Sequence, residues 1–168
     1  MSSLICGVSG QEGAYLTQHL LSKGYRVVGT SRDAQMGRHE NLRQLGVAAD
    51  VDIVSMALND FRSVLQVLAQ VRPEEAYNLA GQSSVSLSFE QPVETVESIS
   101  AGTLDLLEGI RFFDPAIRLY SAGSSECFSH SAANVAMAMA TTRLGWTAQH
   151  SVEDVVQEMC EAVARRAH

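Results

Sequence analysis

Three glycines at intervals of three residues, Gly7, Gly10 and Gly13 in the run GVSGQEG, carry the most specific chemistry in this 168-residue chain. A short apolar run precedes them and helical periodicity follows, the setting of a turn that binds a pyrophosphate. Gly7 permits the tight turn, Gly10 lets backbone approach the phosphates, and Gly13 lets the next helix pack close to the sheet. Gln11 and Glu12 lead into that helix, whose first N–H groups have no partner of their own. Roughly 20 residues beyond the glycines, where an acidic residue commonly takes the ribose hydroxyls of NAD, the chain reads Gly29-Thr30-Ser31-Arg32-Asp33. Arg32 offers a planar fork for a 2′-phosphate and so favours NADP over NAD. Asp33 pulls the other way, and a solvated Arg–Asp turn is the plain alternative.

Other chemistries find little support. Cys6, Cys127 and Cys160 have neither disulfide nor zinc spacing, and the five histidines form no ligand pattern. A net charge of −7 argues against binding nucleic acid, which relies on a basic surface. No apolar run approaches the roughly 20 residues of a membrane span, so no membrane partner is expected. The start, MSSLICG, lacks the pattern of a secretory leader, and a cytoplasmic protein is the expectation.

The elements that must position these residues alternate. Strands are expected at Leu4 to Cys6, Arg26 to Gly29, Val51 to Met56, Glu75 to Ala80 and Ile117 to Ala122. Helices are expected over Gly13 to Lys23 and around Glu40 to Leu45. Another follows an Asp60 N-cap, with Phe61, Val64, Leu65, Leu68 and Val71 on one face, and stops at Pro73. A long helical stretch from about Pro92 to Phe113 has Leu104, Leu107 and Ile110 as its clearest apolar stripe. Strands and helices in this order imply an α/β fold, a doubly wound parallel sheet covered on both faces. Beyond Phe128 the pattern fades: Cys127 to Thr142 has no charged residue, and residues 132 to 140 hold five Ala and two Met. A last helix, headed by Ser151 with Asp154 three residues on, carries Val152, Val155, Val156, Met159 and Val163.

G-x-x-G-x-x-G is typical of the extended short-chain dehydrogenase/reductase superfamily. Several stretches resemble one family within it, GDP-mannose 4,6-dehydratase. They are G-V-S-G-Q-E-G-A-Y-L (7 to 16), Y-N-L-A-G-Q-S (77 to 83), S-F-E-Q-P (88 to 92), G-T-L-D-L-L-E-G-I-R (102 to 111), S-S-E-C-F (124 to 128) and the tail L-G-W-T-A-Q-H-S-V-E-D-V-V-Q-E-M (144 to 159). The resemblance implies a Rossmann-type NAD(P)-binding domain over residues 1–128, an Ala/Met-rich junction over 129–143, and a remnant of the substrate domain, with a C-terminal helix, over 144–168. It implies NADP-dependent conversion of GDP-mannose to GDP-4-keto-6-deoxymannose. Glu126 matches the base that removes the C5 proton, and Ser124 stands where the family has a Thr that hydrogen-bonds the reacting hydroxyl. Leu79, Ala80 and Gln82 would line the cofactor; Ser84, Ser88 and Glu90 would face the sugar. A homo-oligomer, dimer or tetramer, is implied through helices flanking the site.

Departures from the pattern are specific. The residues four beyond Tyr15, Tyr25, Tyr77 and Tyr120 are His19, Gly29, Gly81 and Ser124, so no Tyr-x-x-x-Lys exists to serve as acid/base. Asp33 replaces an expected second Arg, Met56-Ala57 stands where Gly-Asp commonly meets the adenine, and Gly81 replaces Ala. Between Phe128 and Leu144 a family member would carry the rest of its nucleotide domain and nearly all of its sugar domain. The chain therefore reads as the two ends of a dehydratase, and these 168 residues alone are not expected to turn over. Two other readings are a non-catalytic dinucleotide-binding module and a related nucleotide-sugar epimerase or reductase; Glu126 argues against the reductase, which needs no C5 base.

Overall fold

The computed structural model describes residues 1–81 and 85–123. Gln82, Ser84, Ser124, Glu126, the Ala/Met-rich junction and the helix headed by Ser151 lie outside the described residues.

The chain runs β1 (Ser2–Cys6), α1 (Gln11–Ser22), β2 (Arg26–Ser31), α2 (Glu40–Gln44), β3 (Asp52–Ser55), α3 (Phe61–Val71), β4 (Glu75–Asn78), α4 (Val85–Glu90) and α5 (Pro92–Val96). A π-helical turn, Glu97–Ala101, leads into α6 (Gly102–Phe113) and β5 (Arg118–Ser121). All neighbouring strands pair in parallel, in the order β3-β2-β1-β4-β5. The first three strands thus build outward in one direction from β1, and the last two in the other.

Two apolar clusters cover the two faces. Leu4, Cys6, Val28 and Ala76 pack against Val64, Leu68, Leu106 and Ile110 of α3 and α6. Ile5 and Val27 pack with Ala14, Leu20 and Leu42 of α1 and α2. Strands buried on both sides carry apolar residues in sequence rather than alternating ones, which is why LIC and RVVG were legible as strands.

Helix α3 begins as its cap predicts: the Asp60 carboxylate accepts from the N–H groups of Arg62 (3.0 Å) and Ser63 (3.3 Å). The Ser63 hydroxyl reaches back to accept from the N–H of Ala57 (3.1 Å), so the two side chains together satisfy three backbone donors. Replacing Asp60 by Ala is expected to cost about 1 kcal/mol, read as a lowered midpoint in urea with unchanged slope.

Two helix faces differ from expectation. On α3 the buried residues are Val64, Val67, Leu68 and Val71, while Phe61 at the first turn is exposed. On α6, Leu104 is 59% and Leu107 48% exposed; the buried face is Gly102, Leu106, Gly109 and Ile110. Helix α3 chooses that face because Gly109 admits it: a Cβ there would lie 2.8 Å from Val64 Cγ1. The π turn matters too. One α turn of about 3.6 residues and one π turn of about 4.4 together span about eight, so Leu104 falls in line with exposed Val96, eight residues before it, rather than with the core. The stretch from Pro92 to Phe113 is therefore two helices joined through a π turn.

Candidate functional site

Because the strand order reverses between β1 and β4, the chain leaves these two adjacent strands in opposite directions and opens a crevice at their carboxyl ends. Ligands of open α/β sheets bind at this point. A cavity of about 730 Å³ occupies it. Its floor is the glycine-rich turn after β1, with Gly7, Ser9, Gly10, Gln11, Glu12 and Gly13; the tip of β2 adds Thr30, Ser31 and Arg32. Met56, Leu58 and Asn59 follow β3, and Leu79, Ala80 and Gly81 follow β4. Glu94, Glu97 and Ser98 close it from α5 and the π turn.

The three glycines differ in what they do for the turn. Gly7 has φ +82°, and a Cβ on it would meet the Ala80 nitrogen and Leu79 oxygen at 2.9 Å. At Gly13 a Cβ would lie 2.4 Å from the Gly7 oxygen and 2.8 Å from Val8 Cα, so this glycine is what seats α1 on the turn. Gly10 is exposed; the nearest atom to a Cβ there is the Gly7 oxygen at 3.3 Å, and its open side faces the cavity. The turn is closed by Gly10 N–H donating to Gly7 (3.0 Å) and supported from α2, where the Asn41 amide donates to the Ser9 carbonyl (2.9 Å). Gly29 of β2 completes the packing, since a Cβ would lie 2.5 Å from the Val8 side chain.

Of the residues singled out from the sequence, the fold brings Gly7, Gly10, Gln11, Glu12, Gly13, Arg32, Leu79 and Ala80 to this one cavity. Ser88 is half-buried and Glu90 exposed on α4, and neither lines it. Gln82, Ser84, Ser124 and Glu126 fall outside the described residues. Met56 and Gly81, noted only as departures, are also in the wall. Sequence reasoning did not single out Thr30, Ser31, Leu58, Asn59, Glu94, Glu97 and Ser98 as site residues. Thr30 and Ser31 end β2 and Leu58 and Asn59 follow β3, positions where the switch-point rule would have found them. The last three depend on the phase of a helix containing a π turn, which no local pattern announces.

Electrostatically the cavity is uneven. Arg32 is the only cationic side chain among its described lining residues, against the carboxylates of Glu12, Glu94 and Glu97. An anion at the glycine turn would therefore be held by backbone N–H groups and the α1 dipole rather than by lysines or arginines. Cys6, at the end of β1, is fully buried, and burial pushes its thiol up to about 12, which leaves it inert at neutral pH. Iodoacetamide is expected to modify the Cys6 peptide only as fast as the sheet unfolds, a result peptide mapping by mass spectrometry would check. Among the described residues no group of three or more His, Cys, Asp or Glu side chains is arranged to hold a metal. No helix among them is long and apolar enough to cross a membrane.

A family model described as GDP-mannose 4,6 dehydratase matches residues 4–137. The chain belongs to the GDP-mannose 4,6-dehydratase family. It is 38% identical over 133 residues to the GDP-mannose 4,6-dehydratase of Vibrio cholerae, covering 75% of this chain and 36% of that protein. It is 39% identical over 138 residues to GDP-mannose 4,6 dehydratase 1 of Arabidopsis thaliana, covering 75% and 38%. The chain thus spans little more than a third of the length of each of these two relatives. Among solved structures, the Thermus thermophilus UDP-glucose 4-epimerase in complex with NAD superposes with a TM-score of 0.59 at 31% identity, covering 67% of this chain and 34% of that one. The family resemblance read from the motifs and the Rossmann-type parallel sheet are both borne out.

Proposed function

We propose that this member of the dehydratase family binds NADP in the switch-point cavity, and that the whole protein converts GDP-mannose to GDP-4-keto-6-deoxymannose. The observation that carries the reading is the Gly7–Gly13 turn, closed against Leu79 and Ala80 and opening at Gly10 onto a cavity large enough for a dinucleotide. In this reading the pyrophosphate lies against the bare backbone of Gly10, the N–H groups of Gln11 and Glu12 take it, and Arg32 takes the 2′-phosphate. Leu79, Ala80 and Gln82 lie along the cofactor. Bound NADP would supply hydride acceptance at C4 of the sugar and its return to C6.

The remaining steps rest on likeness to the family. Glu126 would remove the C5 proton made acidic by a 4-keto group, as water leaves from C6. Ser124 would hydrogen-bond the reacting hydroxyl, and Ser84, Ser88 and Glu90 would face the sugar. No Tyr-x-x-x-Lys is present to exchange the C4 hydroxyl proton, so this chain alone is expected to bind and not to turn over. Incubation with GDP-mannose and NADP, followed by mass spectrometry of the nucleotide sugar, tests this; loss of one water from the substrate would overturn it. The same lack supports a second reading, a non-catalytic dinucleotide-binding module, which calorimetry would favour if NADP binds and GDP-mannose does not. A cytoplasmic location goes with either reading.

A homodimer or tetramer belongs to the same proposal. Val93, Val96, Leu104 and Leu107 are each about half exposed or more, and the π turn brings Leu104 into line with Val96 on the outward side of this stretch. Changing Leu104 and Leu107 together to Glu is expected to yield a monomer by light scattering while leaving the melting midpoint of the monomeric fold unchanged. A parent chain already monomeric at tens of micromolar would count against this part.

A further inference from the structure

We infer that Asp33 is a positioning residue that turns the tip of β2 so that Arg32, and no carboxylate, meets the ligand, thereby setting a preference for a 2′-phosphorylated dinucleotide. The inference rests on the reading of the cavity as a dinucleotide site. By its place in the sequence, Asp33 is the candidate for the acid that selects NAD. Its contacts say otherwise. The carboxylate Oδ1 accepts from the backbone N–H groups of Gln35 (3.1 Å) and Met36 (2.9 Å). Its carbonyl accepts from the Ser31 hydroxyl (3.3 Å) and the Gly37 N–H (3.3 Å).

Both sides of the next residue are pinned as well. Ala34 donates its N–H to the Ser55 hydroxyl on β3 (3.1 Å), and its carbonyl lies 3.3 Å from His39 Nε2. Residues 33–37 are thus folded back on themselves and tied to the neighbouring strand. At this corner the cavity wall consists of Thr30, Ser31 and Arg32; Asp33 is not part of it. Among the described residues no ion pair engages the Arg32 guanidinium. A carboxylate that already caps two N–H groups in a tight turn is a poor partner for a ribose diol, because leaving the turn would strand both donors.

Binding constants for NADP and NAD, measured by calorimetry on the full chain and its variants, separate the roles. Asp33→Asn keeps the capping oxygen and loses the charge, so NADP and NAD affinities are each expected to stay within about threefold of the parent. Asp33→Ala loses the cap, and NADP affinity is expected to fall about tenfold while NAD changes little. In an Arg32→Ala background, Asp33→Ala is expected to add no further loss of NADP affinity, since its effect runs through Arg32. A tenfold or greater loss of NAD binding in Asp33→Asn would make Asp33 a ribose ligand and overturn the inference. Equal weakening of both dinucleotides in Asp33→Ala would reduce it to a structural turn, and a parent chain that prefers NAD would contradict it as well. Failure of the parent chain to bind either dinucleotide would instead overturn the reading of the cavity, and the inference with it.

Discussion

Gly13→Ala is expected to destabilise the chain by about 3 kcal/mol, a large part of what a domain of this size possesses. The added methyl would lie 2.4 Å from the Gly7 oxygen and 2.8 Å from Val8 Cα, and both are backbone atoms of a turn already closed against Ala80. Neither can rotate away as a side chain would, so α1 must lift from the sheet and take buried Ala14 and Thr17 with it. Gly10→Ala is the informative partner. Its methyl meets nothing closer than 3.3 Å, so stability should change by less than about 1 kcal/mol. That methyl would stand where a pyrophosphate approaches the backbone, so dinucleotide affinity should fall at least tenfold. Urea denaturation of the two variants, beside their NADP titrations, would show one losing the fold and the other only the ligand. Equal stability losses would remove the distinction drawn between the two glycines.

Arg32→Ala is expected to weaken NADP binding by about 10- to 100-fold, the worth of a charge-assisted contact to phosphate, and to leave NAD within about threefold. The effect should be large because no second cation among the described lining residues shares the phosphate, and Glu12, Glu94 and Glu97 oppose it. It should also shrink at high salt, since Arg32 is exposed and its field is screened. Calorimetry at low and moderate ionic strength would show both trends. Equal losses for NADP and NAD would assign Arg32 to the common pyrophosphate instead.

Much of this was legible in the residues. The glycine turn is written locally, because φ +82° at Gly7 and the tight seat at Gly13 require particular residue types at particular positions. Asp60 is legible for the same reason, as its cap concerns atoms two and three residues away. The buried faces of α3 and α6 were read less well. Leu104, Leu107 and Ile110 look like a stripe, yet the decision lay with Gly109, whose meaning depends on Val64 of a helix far off in the chain. A π turn also shifts the phase by nearly one residue, and an apolar pattern cannot reveal it. Asp33 shows the same limit at the site: its place beyond β2 suggests ribose binding, whereas only the folded turn shows which N–H groups occupy it.

The claim on which the rest depends is that the cavity between β1 and β4 takes a dinucleotide phosphate. An amide NMR titration of the full chain with NADP tests it most directly. Saturable shifts concentrated at Ser9 to Gly13, at Thr30 to Arg32 and at Leu79 to Gly81 are the predicted result. No saturable shift, or shifts confined to the groove of about 590 Å³ at the other end of the sheet, beside Arg72 and Arg118, would contradict it.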